Sequence, residues 1–217
     1  MNTIEIRDKK NKLKLSKRQR AILIGLLLGD GHLETQNNGL TFRLKVEHAV
    51  EQIDYVEWLY QEFKNWVNQK PVVKIRRDGQ TSIGFSTYSS GIFRFYGKLF
   101  YKNGKKIVPK IISKKLEAIS LAVWFMDDGS RKSLRHKTYI LHTLGFTEKD
   151  VVLLRTTLKN NFDIDANLHS QKDKYFRLYI LSKSAKKFTE VIYPFVEKIA
   201  SMKHKIVFEW ITSMPKK

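Results

Sequence analysis

Two apolar runs of helix length dominate the pattern of this chain, and each stops at an acid followed by glycine. Residues 23–31 read Leu-Ile-Gly-Leu-Leu-Leu-Gly-Asp-Gly, and residues 121–129 read Leu-Ala-Val-Trp-Phe-Met-Asp-Asp-Gly. Glycine takes a left-handed backbone most easily, so each run predicts a helix ending at its Asp-Gly pair. Asp30 and Asp128 lie close to half a chain length apart in 217 residues, which points to an internal duplication.

The pattern after each run repeats in the same order. Residues 41–48 alternate, with Thr41, Arg43, Lys45 and Glu47 on a wet, basic face and Phe42, Leu44, Val46 and His48 on a core face, which predicts a strand. Residues 50–67 carry Val50, Ile53, Val56, Leu59, Tyr60, Phe63 and Val67 at helical spacing. Residues 72–77 and 80–87 flank the Asp78-Gly79 turn signal and predict a hairpin with Lys74 and Arg76 on one face; a helix follows over 91–101. In the second half a strand is predicted over 139–146, then a helix from the Thr147/Asp150 capping box to about 161. A hairpin over 166–171 and 175–181, with Arg177 and Tyr179 sharing a face, and a helix over 184–200 complete the repeat. The class is α+β. The divisions are a basic arm over 1–20, a first half over 21–101, a polar, basic linker over 102–114 and a second half over 115–217.

Charge changes the picture most. Lys+Arg number 41 against 21 Asp+Glu, a formal net charge of +20, and such an excess calls for a polyanionic partner, nucleic acid before a membrane surface. Without cysteine there are no disulfides and no thiolate metal sites. No apolar run is long enough to span a bilayer and no secretory signal leads the chain, so an intracellular protein is expected, in an organelle or a cytoplasm. Seven basic residues between Lys9 and Arg20 fit either an arm along a phosphate backbone or, for the first part, a solvated terminus; Ser16 is the expected N-cap of the first helix.

A carboxylate at a helix C-terminus adds to an already negative dipole end, so something positive should compensate it. If the two helices pack side by side, Asp30 and Asp128 converge with two negative helix ends, a setting that favours a hard divalent cation. Gly25 and Gly29, four apart, strip one face of the first helix of side-chain bulk and permit that approach. Adjacent helical residues point about 100° apart, so only one of Asp127 and Asp128 is expected to face the partner helix. Candidates for reading DNA from the strands are Arg43, Lys45, Lys74, Arg76, Asn167, His169, Arg177 and Tyr179, because a β-ribbon fits the major groove. His32 is expected to be a loop residue.

The paired runs resemble the signature helices of LAGLIDADG homing endonucleases in their single-chain form. Leu23, Gly25, Leu26, Gly29, Asp30 and Gly31 fit the first signature, and Leu121, Ala122, Asp128 and Gly129 fit the second; Val123, Trp124 and Met126 depart from it. The resemblance implies two pseudo-symmetric αββαββα halves, an antiparallel β-sheet saddle packed on a central two-helix interface. It also implies a monomer that hydrolyses double-stranded DNA with Mg²⁺, Mn²⁺ being another possibility, and leaves short 3′ overhangs within a long recognition sequence. Metal ligation would fall to Asp30 and Asp128, with Gly29 and Asp127 as further candidates, and Lys106 and Lys205 match lysines placed near the metal. The alternative on the same scaffold is a non-cleaving nucleic-acid-binding protein, an intron RNA-splicing maturase or a DNA-binding regulator.

Overall fold

The computed structural model describes residues 8, 10, 12–75, 78–133, 135–171 and 175–212. Helix α1, Lys17–Leu28, opens on Ser16, whose hydroxyl accepts from the Gln19 N–H while the Gln19 side chain accepts from the Ser16 N–H. All eight residues from Ala21 to Leu28 are buried, as expected of a helix apolar on every side. The chain then forms β1, His32–Glu34, β2, Arg43–Ala49, and α2, Ile53–Phe63, with a 3₁₀ turn at each end of α2. The hairpin β3, Val72–Ile75, with β4, Thr81–Ser86, and helix α3, Arg94–Phe100, close the first half.

Residues 102–114 are more ordered than a plain linker. Strands β5, Tyr101–Lys102, and β6, Lys105–Lys106, form a tight hairpin around Asn103 and Gly104, both left-handed (φ 51° and 75°). Asn-Gly is the strongest two-residue hairpin signal, so the feature is local chemistry that composition alone conceals. A helical turn, α4, Ile112–Lys115, leads into α5, Ala118–Asp128.

The second half repeats the order with β7, Gly129–Arg131, β8, Tyr139–His142, α6, Glu148–Phe162, β9, Ala166–Gln171, β10, Tyr175–Ile180, and α7, Ser182–Val196. The 3₁₀ segment Ala200–Lys205 and a short helix α8, Phe208–Thr212, follow. Each half is thus αββαββα. Both four-stranded sheets are antiparallel throughout and share one strand order, β1-β2-β4-β3 and β7-β8-β10-β9.

Several expectations need correction. His32 opens β1 and pairs with Lys45, so it is a strand residue. The strand expected over 139–146 ends at His142, because the Thr143 hydroxyl turns to bond the Phe176 carbonyl. The expected helix over 184–200 stops at Val196 and gives way to a 3₁₀ segment. Helix α1 starts after Ser16 as expected, and within it Arg18 bonds Glu62 at 2.7 Å and Arg20 bonds the Leu15 carbonyl at 3.1 Å.

Helices α1 and α5 form the centre of one continuous core. A Cβ built on Gly25 would meet the Ser120 carbonyl at 2.5 Å and Val123 Cβ at 2.7 Å. The bulky Val123 therefore does not hold the helices apart; it fills the space Gly25 leaves. Ser120 donates across the interface to the Ala21 carbonyl at 2.7 Å, satisfying a buried hydroxyl. Helix α7 closes the other side of α5, with Phe125, Tyr139 and Phe188 in mutual ring contact. No helix among the described residues is long and apolar enough to cross a membrane. Overpacking a tight core costs ~1–3 kcal/mol. Gly25→Val, with backbone as well as side chain in its way, should lose at least that much in urea unfolding.

Candidate acidic centre and nucleic-acid interface

The close approach of α1 and α5 brings their C-terminal ends together with three carboxylates. Gly29, the C-cap of α1, faces Asp127, whose Cβ lies 2.5 Å from where a Gly29 Cβ would stand. Asp127 turns wholly into the first half. Its Oδ2 accepts from the backbone N–H of Asp30 at 2.9 Å and its Oδ1 from the Tyr55 hydroxyl at 2.7 Å. Asp128, one residue on, opens instead onto a cavity of about 190 Å³ lined by Leu28, Gly29, Lys106, His142 and the loop 143–146. The two neighbours do diverge as helix geometry requires.

The positive charge that the converging helix ends demand comes from two lysines, one at each end. Lys106, presented by the β5–β6 hairpin, donates to the Gly29 carbonyl at 2.6 Å. Lys205, presented by the 3₁₀ segment, donates to the carbonyls of Met126 and, at 3.3 Å, Asp127. That segment is held against the first half where the Ser201 N–H bonds Asp54 at 2.9 Å. Each lysine thus caps orphan carbonyls and answers the dipole at once.

The compensation is incomplete. Burial, followed by the charge of Asp30, pushes the Asp127 carboxyl well above the usual range and lifts Asp128 to about 7. Burial also pulls both lysines down, against the pull of Asp127, Asp128 and Asp30. Beside Asp30 lies His48, a buried side chain with Nδ1 3.8 Å from Asp30 Oδ2 and Nε2 3.7 Å from Asp127 Oδ1. Burial lowers the His48 pKa against the opposing pull of Asp30, and its Nε2 has no hydrogen-bond partner among the described residues.

Asp30, His48 and Asp127 can each offer an atom within 4.8 Å of the others. The buried carboxyls of Asp127 and Asp128, both held above their usual range, with Asp30 beside them and a His48 Nε2 that has no hydrogen-bond partner among the described residues, fit a divalent cation. Of the four metal candidates, Asp30 and Asp127 belong to this group, Asp128 lies on the adjoining cavity, and the Gly29 carbonyl is engaged by Lys106. His48 and Tyr55 escaped the sequence reading. The alternation of 41–48 puts His48 on the core face, and a titratable ring there was the one available signal.

The basic faces of both sheets carry the strand candidates. Arg43 bonds Glu34 at 2.7 Å, Lys45 lies 3.9 Å from Glu47, and Lys74 stands opposite Ser82. Part-exposed pairs of this kind contribute ~0–1 kcal/mol, so they do not lock Arg43 or Lys45 away from a polyanion. Arg76 lies outside the described residues. In the second sheet Asn167 pairs with Tyr179 and His169 with Arg177, the His169 and Tyr179 rings lie 4.1 Å apart, and Lys132 sits over Tyr179.

Fold and centre together define an internally duplicated single chain, with an acidic site at the paired helix ends and a basic sheet on either side. The chain belongs to the LAGLIDADG DNA endonuclease family, whose sequence signature matches residues 20–188. It is 31% identical to a probable intron-encoded endonuclease 1 of Wickerhamomyces canadensis, over 95% of this chain and 92% of that one. It is 29% identical to the cytochrome b mRNA maturase bI2 of Saccharomyces cerevisiae, over 86% of this chain and 46% of that protein. Among solved structures it is similar to the homing endonuclease I-WcaI bound to its DNA recognition sequence, with a TM-score of 0.85, 28% identity and 94% and 93% of the two chains covered.

The raised Asp128 carboxyl has a consequence for stability. A group whose pKa is higher folded than unfolded supports the fold below the unfolded value of 3.8 and loses that support as pH climbs through about 7. In metal-free protein, Asp128→Asn should therefore raise Tm at pH ~8 by at least ~4 °C and flatten its dependence between pH ~6 and ~8. Thermal melts of the two proteins side by side check this, and shared groups such as His48 cancel.

Proposed function

We propose that this chain is a site-specific double-strand DNA endonuclease that uses Mg²⁺ or a similar divalent cation within a long recognition sequence. The observation that carries the reading is the acidic cluster at the α1–α5 ends, set between two sheets whose outer faces are basic. A pure binder gains nothing by holding Asp30, Asp127 and Asp128 against a polyanion, since like charge weakens binding. The family membership and the DNA-bound relative support the same reading.

In this reading the halves over 21–101 and 115–217 each bring one acid, Asp30 and Asp128, joined through 102–114. Asp30 and Asp128 would hold the metal, with Asp127 and the Gly29 carbonyl close by. The bound cation supplies a polarised water and neutralises charge on the departing oxygen. Lys106 and Lys205, already beside the carboxylates, stabilise negative charge that grows on the phosphate during attack. Asp127, held by Tyr55 and the Asp30 N–H, fixes the backbone from which Asp30 projects. Arg43, Lys45, Lys74, Arg76, Asn167, His169, Arg177 and Tyr179 line the DNA, part of them on base edges and the remainder on phosphates. A second reading, RNA splicing by a maturase, is favoured by the cytochrome b maturase among the relatives.

Cleavage of a randomised plasmid library with Mg²⁺, Ca²⁺ or no metal, followed by sequencing of the ends, separates the two. Breaks at one extended sequence with Mg²⁺ support the nuclease; duplex binding without breaks by folded protein moves the reading to the maturase. Asp30→Asn and Asp128→Asn should each lower cutting by at least ~10²-fold, within the range for a lost charge-stabilising group, while DNA affinity changes little. Loss of binding in both variants would contradict this division. Affinity should fall by ~10³-fold or more between ~50 and ~200 mM salt, and a flat response would contradict extensive phosphate contact.

A further inference from the structure

The two halves match strand for strand, so the surroundings of the two acids can be compared by register alone. His32, two residues after Asp30, pairs with Lys45, and Ser130, two residues after Asp128, pairs with Ile140. Two residues further along each strand, Glu47 corresponds to His142. On the neighbouring strands Glu47 pairs with Gly84 and His142 with Arg177. All four lie on the sheet face away from the core, because the flanking Val46, Ile83, Phe85, Leu141 and Leu178 are buried.

The matching outer-face positions of the two sheets therefore carry unlike chemistry: Glu47 and Gly84 in the first half, His142 and Arg177 in the second. The first half has no room for a counterpart of Arg177. A Cβ on Gly84 would collide with the Val46 carbonyl and lie 3.2 Å from Glu47 Cβ. In the second half, His142 is oriented by a 3.0 Å contact between its Nε2 and the Ser130 hydroxyl, and it lines the cavity shared by Asp128 and Lys106. The Arg177 Nε is buried without a hydrogen-bond partner among the described residues. The permanently charged guanidinium fork of Arg177 matches the geometry of a phosphate oxygen pair.

We propose that Arg177 and His142 form a phosphate-holding site on the Asp128 side with no equivalent on the Asp30 side, so that the two DNA strands are gripped and cut unequally. Arg177 is here a positioning residue for one backbone phosphate rather than a reader of bases. The strand inequality rests on the endonuclease reading; the phosphate grip does not.

The test uses the full chain and the duplex selected by cutting or, failing that, by binding. Under single-turnover conditions with each strand labelled, wild-type protein should nick the two strands at different rates. Arg177→Ala should slow one strand at least tenfold and change the other less than threefold. Arg177→Lys, which keeps the charge and loses the fork, should fall between them. Equal slowing of both strands, or of neither, overturns the proposal.

A second measurement is independent of cutting. Metal-free binding is compared on duplexes carrying one neutral methylphosphonate at each central phosphate in turn. One substitution should weaken wild-type binding by about tenfold and have no effect on Arg177→Ala. If wild type and variant respond alike at every position, the phosphate grip is wrong, even if the protein cuts DNA. If the protein binds without cutting yet shows the expected difference, the nuclease reading fails and the grip stands.

Discussion

Everything in this structure depends on how closely α1 and α5 approach each other. Gly25 and Gly29 remove the bulk that would separate them, and Val123 and Asp127 occupy the space released. That contact has an electrostatic price, because two helix C-termini and three carboxylates end at one place. The fold meets it from outside the helix pair. Lys106 arrives on a two-residue hairpin between the halves and Lys205 on a 3₁₀ segment from the far end of the chain. Each lysine follows the last helix of its own half, and the two bond the matching carbonyls of Gly29 and Asp127, so the compensation is duplicated along with the acids.

The centre is symmetric in backbone and asymmetric in chemistry. Position for position, Gly29 faces Asp127, and this difference allows one carboxylate to enter the opposite half and bond both Tyr55 and the Asp30 backbone. Asp127 therefore behaves more as a clasp between halves than as a second copy of the Asp30 role. Its isolation from water accounts for the direction of its titration, and the protein retains it because hydrogen bonds satisfy both oxygens. Duplication supplied two equivalent sites; divergence at single positions such as Gly29/Asp127 and Gly84/Arg177 made them unlike.

Much of the fold was legible because its signals are local. The paired apolar runs, the Thr147/Asp150 capping box, the Asp78-Gly79 turn and the period-two stretches all act within a few residues, and the structure realises each one. The failures have physical causes of two kinds. Short strands such as His32–Glu34 and Gly129–Arg131 hold three residues each, too few for alternation to register, and exist because a neighbouring strand pairs with them. The Asn103-Gly104 hairpin was masked by its setting in a lysine-rich segment, although the dipeptide itself carries the turn.

The centre was legible in its acids and illegible in its partners. Asp30 and Asp128 announce themselves because a carboxylate at a helix end violates a simple electrostatic preference, and a violation repeated at half the chain length needs a cause. His48 and Tyr55 violate nothing, since a histidine on a strand's core face and a tyrosine in an amphipathic helix read as ordinary packing. Only the docking of the second half converts them, by setting Asp127 within 2.7 Å of the Tyr55 hydroxyl and 3.7 Å from the His48 Nε2. Sequence periodicity describes one element at a time, whereas these residues acquire their role from Asp127 in the other half, 72 positions from Tyr55 in the chain. The same holds for Arg177, whose significance lies in the contrast with Gly84 on the other sheet, a comparison that requires the strand register of both halves.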